Sequence, residues 1–267
     1  MNRILTAIVV LTLSSFALAQ KNNNQKAAGE APDTITCAAT FTSGTGHNAT
    51  KYCVTVNGTI PQFSRGGDEY IRVGGFLEGY GICDLTPSTP VAYYDYSAFD
   101  SGNWFASSFS TPTATTAIST RITSDGIWQI KNTITRGAAN ASGPGSAKVS
   151  MQIKNLTGIN RLVLVLRSAD VDFSRGGVND FNNDFDYTID TAYGLEPGFK
   201  SGLGITNNTF AFAYQAFADS ASGGPDPCVS VPIAPQPFFG DGGIGSEYLL
   251  AVPKLATKTI TVTYKPI

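Results

Sequence analysis

Apolar and polar residues alternate with a period of two along much of this 267-residue chain. In "SAKVSMQIKN", Val149, Met151 and Ile153 fall on one side and Ser150, Gln152 and Lys154 on the other. That is the pattern of a strand with one wet face. In "RLVLVLRS" both sides are apolar, as a central strand covered on both faces requires. The short "LTG" connection between the two predicts an antiparallel hairpin. A second hairpin is predicted in "TRITSDGIWQIKNTIT", where Gly126 of the Asp125-Gly126 pair can take the positive φ of a tight turn without a Cβ penalty. Further strands are predicted over 34–42, 51–57, 69–73, 91–96, 186–192, 209–217, 247–252 and 259–265. No stretch carries a capped 3.6-residue stripe. Many short strands separated by Gly, Asn and Pro turns must bury their apolar faces against another sheet. The expected fold is all-β, an antiparallel β-sandwich, immunoglobulin-like or larger and jelly-roll-like, with long loops and little helix.

Two segments add a resemblance. "LATKTITVTYKPI" resembles the closing strand of immunoglobulin-like bacterial surface modules, and "VSMQIKNLTGINRLVLV" resembles the strand pair that opens them. The likeness covers about a sixth of the chain and rests on strand alternation; it implies a sandwich and carries no activity.

The N-terminus sets the expected compartment. Arg3 precedes an apolar run over 4–13, and Ala17-Leu18-Ala19 supplies a small-residue cleavage site before Gln20. Residues 1–19 therefore read as a cleaved secretory signal. The polar "QKNNNQKAAGEAPD" that follows reads as a disordered leader over 20–33. One β-sandwich domain is expected over 34–267. The linker-like "NASGPGS" at 140–146 leaves open a division into two β modules. No second run of ~18 apolar residues follows the signal, so no transmembrane segment is expected after its removal. The expected location is secreted, periplasmic or on the cell surface. Without Arg3 the chain has 17 basic against 20 acidic side chains and no basic cluster, which argues against nucleic acid as a partner.

Four cysteines, Cys37, Cys53, Cys83 and Cys228, read as two disulfides in an oxidising compartment. Four cysteines allow three pairings. The preferred one joins Cys37 to Cys53 across a local hairpin and Cys83 to Cys228 across the chain. Zinc is the rival reading, but there is no C-x₂-C spacing and only one histidine.

Candidate chemistry concentrates in "RSADVDFSRGGVNDFNNDFDYTID", with six aspartates and three asparagines. Asp170 and Asp172 share one face if their strand continues, and Asp180, Asp184 and Asp186 follow a Gly-Gly turn together with Asn182 and Asn183. Ca²⁺ takes six to eight oxygens from carboxylates, amide carbonyls and backbone, so Asp170, Asp172, Asp180, Asp184 and Asp186 form the candidate metal set. The pattern is not an EF-hand: the glycine comes one place late at Gly176, and the twelfth position is Phe181. Arg167 and Arg175 are placed to neutralise part of the charge. A plain solvated loop and a pair of catalytic carboxylates are the competing readings.

The aromatic stretch "YYDYSAFDSGNWF" offers Tyr94, Asp95, Tyr96 and Trp104 as a ligand surface, rings to stack on sugars and a carboxylate for hydroxyls, against the alternative that its rings are core. His47 has no G-x-S-x-G partner and reads as a loop residue. "GDGGIG" at 240–245 lacks the strand–helix context of a dinucleotide site and reads as a surface turn. No catalytic constellation is complete. The expected function is therefore a structural or ligand-binding role at or outside the cell envelope, with Ca²⁺ as the one candidate cofactor and a glycan or another envelope protein as candidate partner. A secreted glycan-active enzyme using Asp172 and Asp186 beside an aromatic platform is the alternative.

Overall fold

Alternation over so much of the chain leaves each strand with an apolar face to cover, and in the computed structural model three antiparallel sheets cover one another. The structure describes residues 35–71, 77–140, 143–199, 201–209, 213–219, 226–229 and 237–267. The expected signal and leader, and position 34 where the first predicted strand begins, lie outside them.

The first strands are β1 (Ala39–Ser43), β2 (Thr50–Val54), β3 (Gln62–Arg65), β4 (Asp68–Glu69), β5 (Glu78–Asp84), β6 (Val91–Asp95) and β7 (Ser108–Thr113). Then come β8 (Thr116–Ile122), β9 (Trp128–Gly137), β10 (Ser146–Asn155), β11 (Arg161–Asp170), β12 (Phe173–Arg175), β13 (Val178–Asp180) and β14 (Asn183–Tyr187). The last are β15 (Thr191–Leu195), β16 (Gly202–Asn207), β17 (Ala213–Asp219), β18 (Phe238–Gly240), β19 (Gly243–Val252) and β20 (Thr257–Pro266). A single 3₁₀ turn, Gly46–Asn48, is the helical element among the described residues.

A nine-stranded sheet runs β18-β14-β15-β16-β20-β10-β9-β8-β7, and a five-stranded sheet runs β17-β19-β11-β5-β6. A six-stranded sheet, β1-β2-β3-β4-β12-β13, completes the set. Val149, Met151, Ile153, Ile260 and Val262 from the nine-stranded sheet share one buried cluster with Ile82, Val163, Val165, Tyr248 and Leu250 from the five-stranded one. This common core is what makes the arrangement a sandwich. Phe41, Tyr52 and Phe63 bring the six-stranded sheet into the same cluster. No helix among the described residues is long and apolar enough to cross a membrane.

β8 and β9 pair around the Asp125-Gly126 turn, and Gly126 has φ +71°. β11 is central, between β5 and β19, as its two apolar faces require. The chain on either side of 140–146 belongs to one sheet, because β9 pairs with β10 from Gly137↔Ser146 onward. Cys37 is bonded to Cys53, with Cα atoms 5.4 Å apart, and Cys83 to Cys228, with Cα atoms 4.9 Å apart.

The structure corrects four local expectations. β10 and β11 do not form a hairpin: β10 pairs with β9 and β20, whereas β11 pairs with β5 and β19 in the opposite sheet. The short connection is a corner between layers, pinned by buried Asn155, whose Nδ2 donates to the carbonyls of Ile159, Val252 and Pro253. The strand predicted over 186–192 is interrupted by a turn at 188–190, which joins β14 to β15. Residues 240–245 are more than a surface turn, since Gly240 closes β18 and Gly243 opens β19. The acidic stretch 167–190 is not one long solvated connection, because β12, β13 and β14 lie within it.

Candidate functional site

Asp170 is the last residue of β11, registered opposite Gly243 of β19, and its N–H donates to the Leu77 carbonyl at 2.7 Å. Period-two alternation then sends Val171 into the core and returns Asp172 to the side of Asp170. Asp241 occupies the two-residue link between β18 and β19, so backbone pairing carries it to the same corner. One carboxylate oxygen from each of Asp170, Asp172 and Asp241 lies within 4.8 Å of the other two. Asp170 is 7% and Asp172 2% exposed, while Asp241 is exposed.

No basic group among the described residues acts on the Asp170 and Asp172 carboxylates. Oδ1 of Asp170 and Oδ1 of Asp172 are buried and accept no hydrogen bond. Burial pushes both carboxyls far above the ordinary carboxylate range. Asp241 adds to the rise at Asp170, and Asp170, Asp241 and Asp180 add to it at Asp172. Two unit charges at this spacing repel by roughly 3 kcal/mol at an effective dielectric of about 20. For Asp170 and Asp172 that repulsion adds to the cost of burying both charges, so either bound protons or a cation must relieve it.

Other buried acids are handled differently. Glu78 is paired with Arg167 at 2.6 Å and also accepts from Tyr264 Oη at 2.5 Å. Asp84 pairs with Arg161 at 2.5 Å and accepts from Trp128 Nε1 at 3.2 Å. Asp95 is bound by Arg121, and Glu196 by Arg175 at 2.8 Å. Glu247 accepts from Gln215 Nε2 at 2.9 Å. Asp170 and Asp172, by contrast, are two adjacent buried acids on which no basic group among the described residues acts. The two arginines expected to neutralise it are committed elsewhere. Arg167 is fully buried on Glu78, and Arg175 bridges Asp68 and Glu196.

The remaining members of the predicted metal set separate. Asp180, at the end of β13, acts on Asp172 through its charge and accepts from the N–H of Asn182 at 2.9 Å. Asp184 and Asp186 lie on the face of β14 opposite the buried Asn183 and Phe185. With Tyr193, Leu195, Pro237, Phe238 and Phe239 they line an open groove of about 380 Å³. There Asp186 accepts from Tyr193 Oη at 3.1 Å.

Of the predicted ligand surface, Asp95 and Tyr96 are buried and Tyr94 and Trp104 half-buried. Tyr96 is fully buried and stacks on Tyr94, with centroids 5.6 Å apart. Arg121 joins Asp95 to Asp100 and lies 5.2 Å above the Trp104 ring, whose Nε1 donates to the Tyr94 carbonyl at 3.0 Å. His47 sits in the 3₁₀ turn. Sequence reasoning missed Asp241, whose only local signal was an aspartate among glycines some 70 positions beyond Asp170.

No protein family model matches the chain, and no curated protein matches it. Among solved structures, a putative aldose 1-epimerase from Escherichia coli K12 is similar with 9% identity and a TM-score of 0.49, covering 86% of this chain and 99% of its own. A protein from Synechocystis sp. PCC 6803 is similar with 8% identity and a TM-score of 0.48, covering 88% of this chain and 97% of its own. A putative kojibiose phosphorylase from human microbiome shares 10% identity with a TM-score of 0.36, over 87% of this chain and 26% of its own. At these values the reading of the site rests on its residues.

Proposed function

We propose that the protein is an exported β-sandwich with a structural or ligand-binding role at or outside the cell envelope, stabilised by Ca²⁺ bound to Asp170, Asp172 and Asp241. Export is supported by the signal-like N-terminus and by two disulfides, which persist in oxidising compartments. The ion is supported by one observation above the rest: two adjacent buried carboxylates, each with an unpartnered oxygen, converge with a third. A hard divalent cation bound by oxygen is the chemistry that satisfies them, and Ca²⁺ accepts such irregular sets more readily than Mg²⁺. The alternative, glycan hydrolysis by Asp172 and Asp186, needs both carboxylates in one cleft. Asp172 is buried at the corner, whereas Asp186 lines the groove beside Tyr193.

The test is a thermal melt of the mature, oxidised protein in EDTA and then in millimolar Ca²⁺, with Mg²⁺ as control. A ligand that binds only the folded state at a hundred times its Kd stabilises by about 2.7 kcal/mol, which for a chain of this size raises Tm by about 5–10 °C. The Asp170→Asn/Asp172→Asn variant is expected to lose that rise. Superimposable melts of the wild-type protein in EDTA and in Ca²⁺ would leave the corner to shared protons and end the cation reading.

A further inference from the structure

Asn183 opens β14 at the edge of the nine-stranded sheet, registered opposite Gly240, the residue before Asp241. Its side chain is fully buried. Its Nδ2 donates at 2.8 Å to the carbonyl of Val171, the residue between Asp170 and Asp172. A carbonyl can only accept, so this bond fixes which end of the amide faces Val171. The other end, Oδ1, is buried without a hydrogen-bond partner. A buried unpaired acceptor costs about 1–3 kcal/mol, and Ca²⁺ uses amide carbonyls together with carboxylates.

Resting on the cation reading above, we infer that Asn183 Oδ1 is a fourth protein ligand and that the ion therefore clamps the two main sheets together at this corner. Asp170 closes β11 in the five-stranded sheet, with Asp172 two residues beyond it, and Asn183 comes from β14 in the nine-stranded sheet. Asp241 lies where the chain passes from β18 in one sheet to β19 in the other. β18 is a three-residue strand paired, among the described residues, with β14 alone. Such a strand has little of its own to hold it. Ligands on both sides of its single pairing make that pairing depend on the ion. Phe238 and Phe239 of β18 form one wall of the groove that Asp184 and Tyr193 line, so the shape of the groove follows occupancy of the corner.

The experiment is calorimetric titration of the full oxidised mature chain with CaCl₂, for wild type, Asn183→Ala and Asn183→Asp, together with hydrogen exchange with and without Ca²⁺. Asn183→Ala is expected to weaken binding by more than about tenfold, the size seen even for groups that only support a ligand. Asn183→Asp keeps an oxygen and is expected to restore binding. In wild type, Ca²⁺ is expected to slow exchange across 238–240. If wild type binds Ca²⁺ and Asn183→Ala binds it equally well, the inference falls while the cation reading stands. If Asn183→Asp fails to restore affinity, the loss belongs to the Val171 hydrogen bond and Asn183 is no ligand. Unchanged exchange across 238–240 would overturn the clamp. Absence of any Ca²⁺ binding by the wild type would end both readings.

Discussion

At the scale of single residues, this protein shows two ways of keeping a carboxylate out of water. Glu78 is buried with its counter-charge, since Arg167 donates Nε to it at 2.7 Å and also reaches the Gly58 carbonyl at 3.2 Å. Removing one partner of such a pair strands the other, so Arg167→Met is expected to cost about 3–5 kcal/mol, read from urea unfolding; a loss within about 0.5 kcal/mol would contradict the assignment. Asp170 and Asp172 lack a counter-charge among the described residues, which makes the cation-free protein sensitive to pH. Their folded-state pKa values are raised by burial and by each other's neighbours, above an unfolded value of about 3.9. The folded state then binds more protons than the unfolded one, and its stability falls as pH rises through the folded pKa values. In EDTA, Tm is expected to drop from about pH 5 to about pH 9, and the Asp170→Asn/Asp172→Asn variant to lose that slope. A rising Tm over the same range would refute the burial of these groups. Asp170 and Asp172 were legible in the sequence because strand alternation places them together. Asp241 was not, because its approach depends on pairing between β19 and β11.

At the scale of elements, local chemistry specifies turns better than partners. Asp125 accepts from Thr123 Oγ1 at 2.6 Å, from the Ile127 N–H at 3.0 Å and from Tyr93 Oη at 2.5 Å. Gly126 beside it has φ +71° with nothing within 4 Å of an added Cβ. The cost of Gly126→Ala is therefore backbone strain alone, about 1–2 kcal/mol. It should appear as a lower urea midpoint with an unchanged m-value. The same kind of reading failed between β10 and β11, where a short polar connection serves a corner as well as it serves a hairpin. What separates the two outcomes is which sheet covers each apolar face, and that is not written in the connection. β14 and β15 failed for a related reason: Tyr187, Ile189 and Thr191 continue the alternation through a turn held by the Thr188 side chain.

At the scale of the whole molecule, the two disulfides do different work. Cys37–Cys53 closes a separation of 16 residues, and Cys83–Cys228 one of 145. Loop-closure entropy assigns about 3 kcal/mol to the first and about 5 kcal/mol to the second. The Cys83→Ala/Cys228→Ala variant is thus expected to unfold at lower urea than Cys37→Ala/Cys53→Ala. The opposite order would show that strain or residual unfolded structure outweighs chain entropy here. Cys228 also anchors its segment over the five-stranded sheet, where Pro227 lies 2.9 Å from the position a Cβ on Gly81 would take.

The sequence by itself determined the fold class, the central place of β11, the β8–β9 hairpin and the acidic character of the 167–190 stretch. Each of these follows from side-chain periodicity or from a turn residue acting on its near neighbours. Only the tertiary structure decided which acids meet. Asp184 and Asp186 are close to Asp180 in sequence, yet the two-residue period turns them to the groove. Asp241 and Asn183 come to Asp170 and Asp172 through strand pairings that span tens of residues, and such contacts are set by which apolar faces must cover one another.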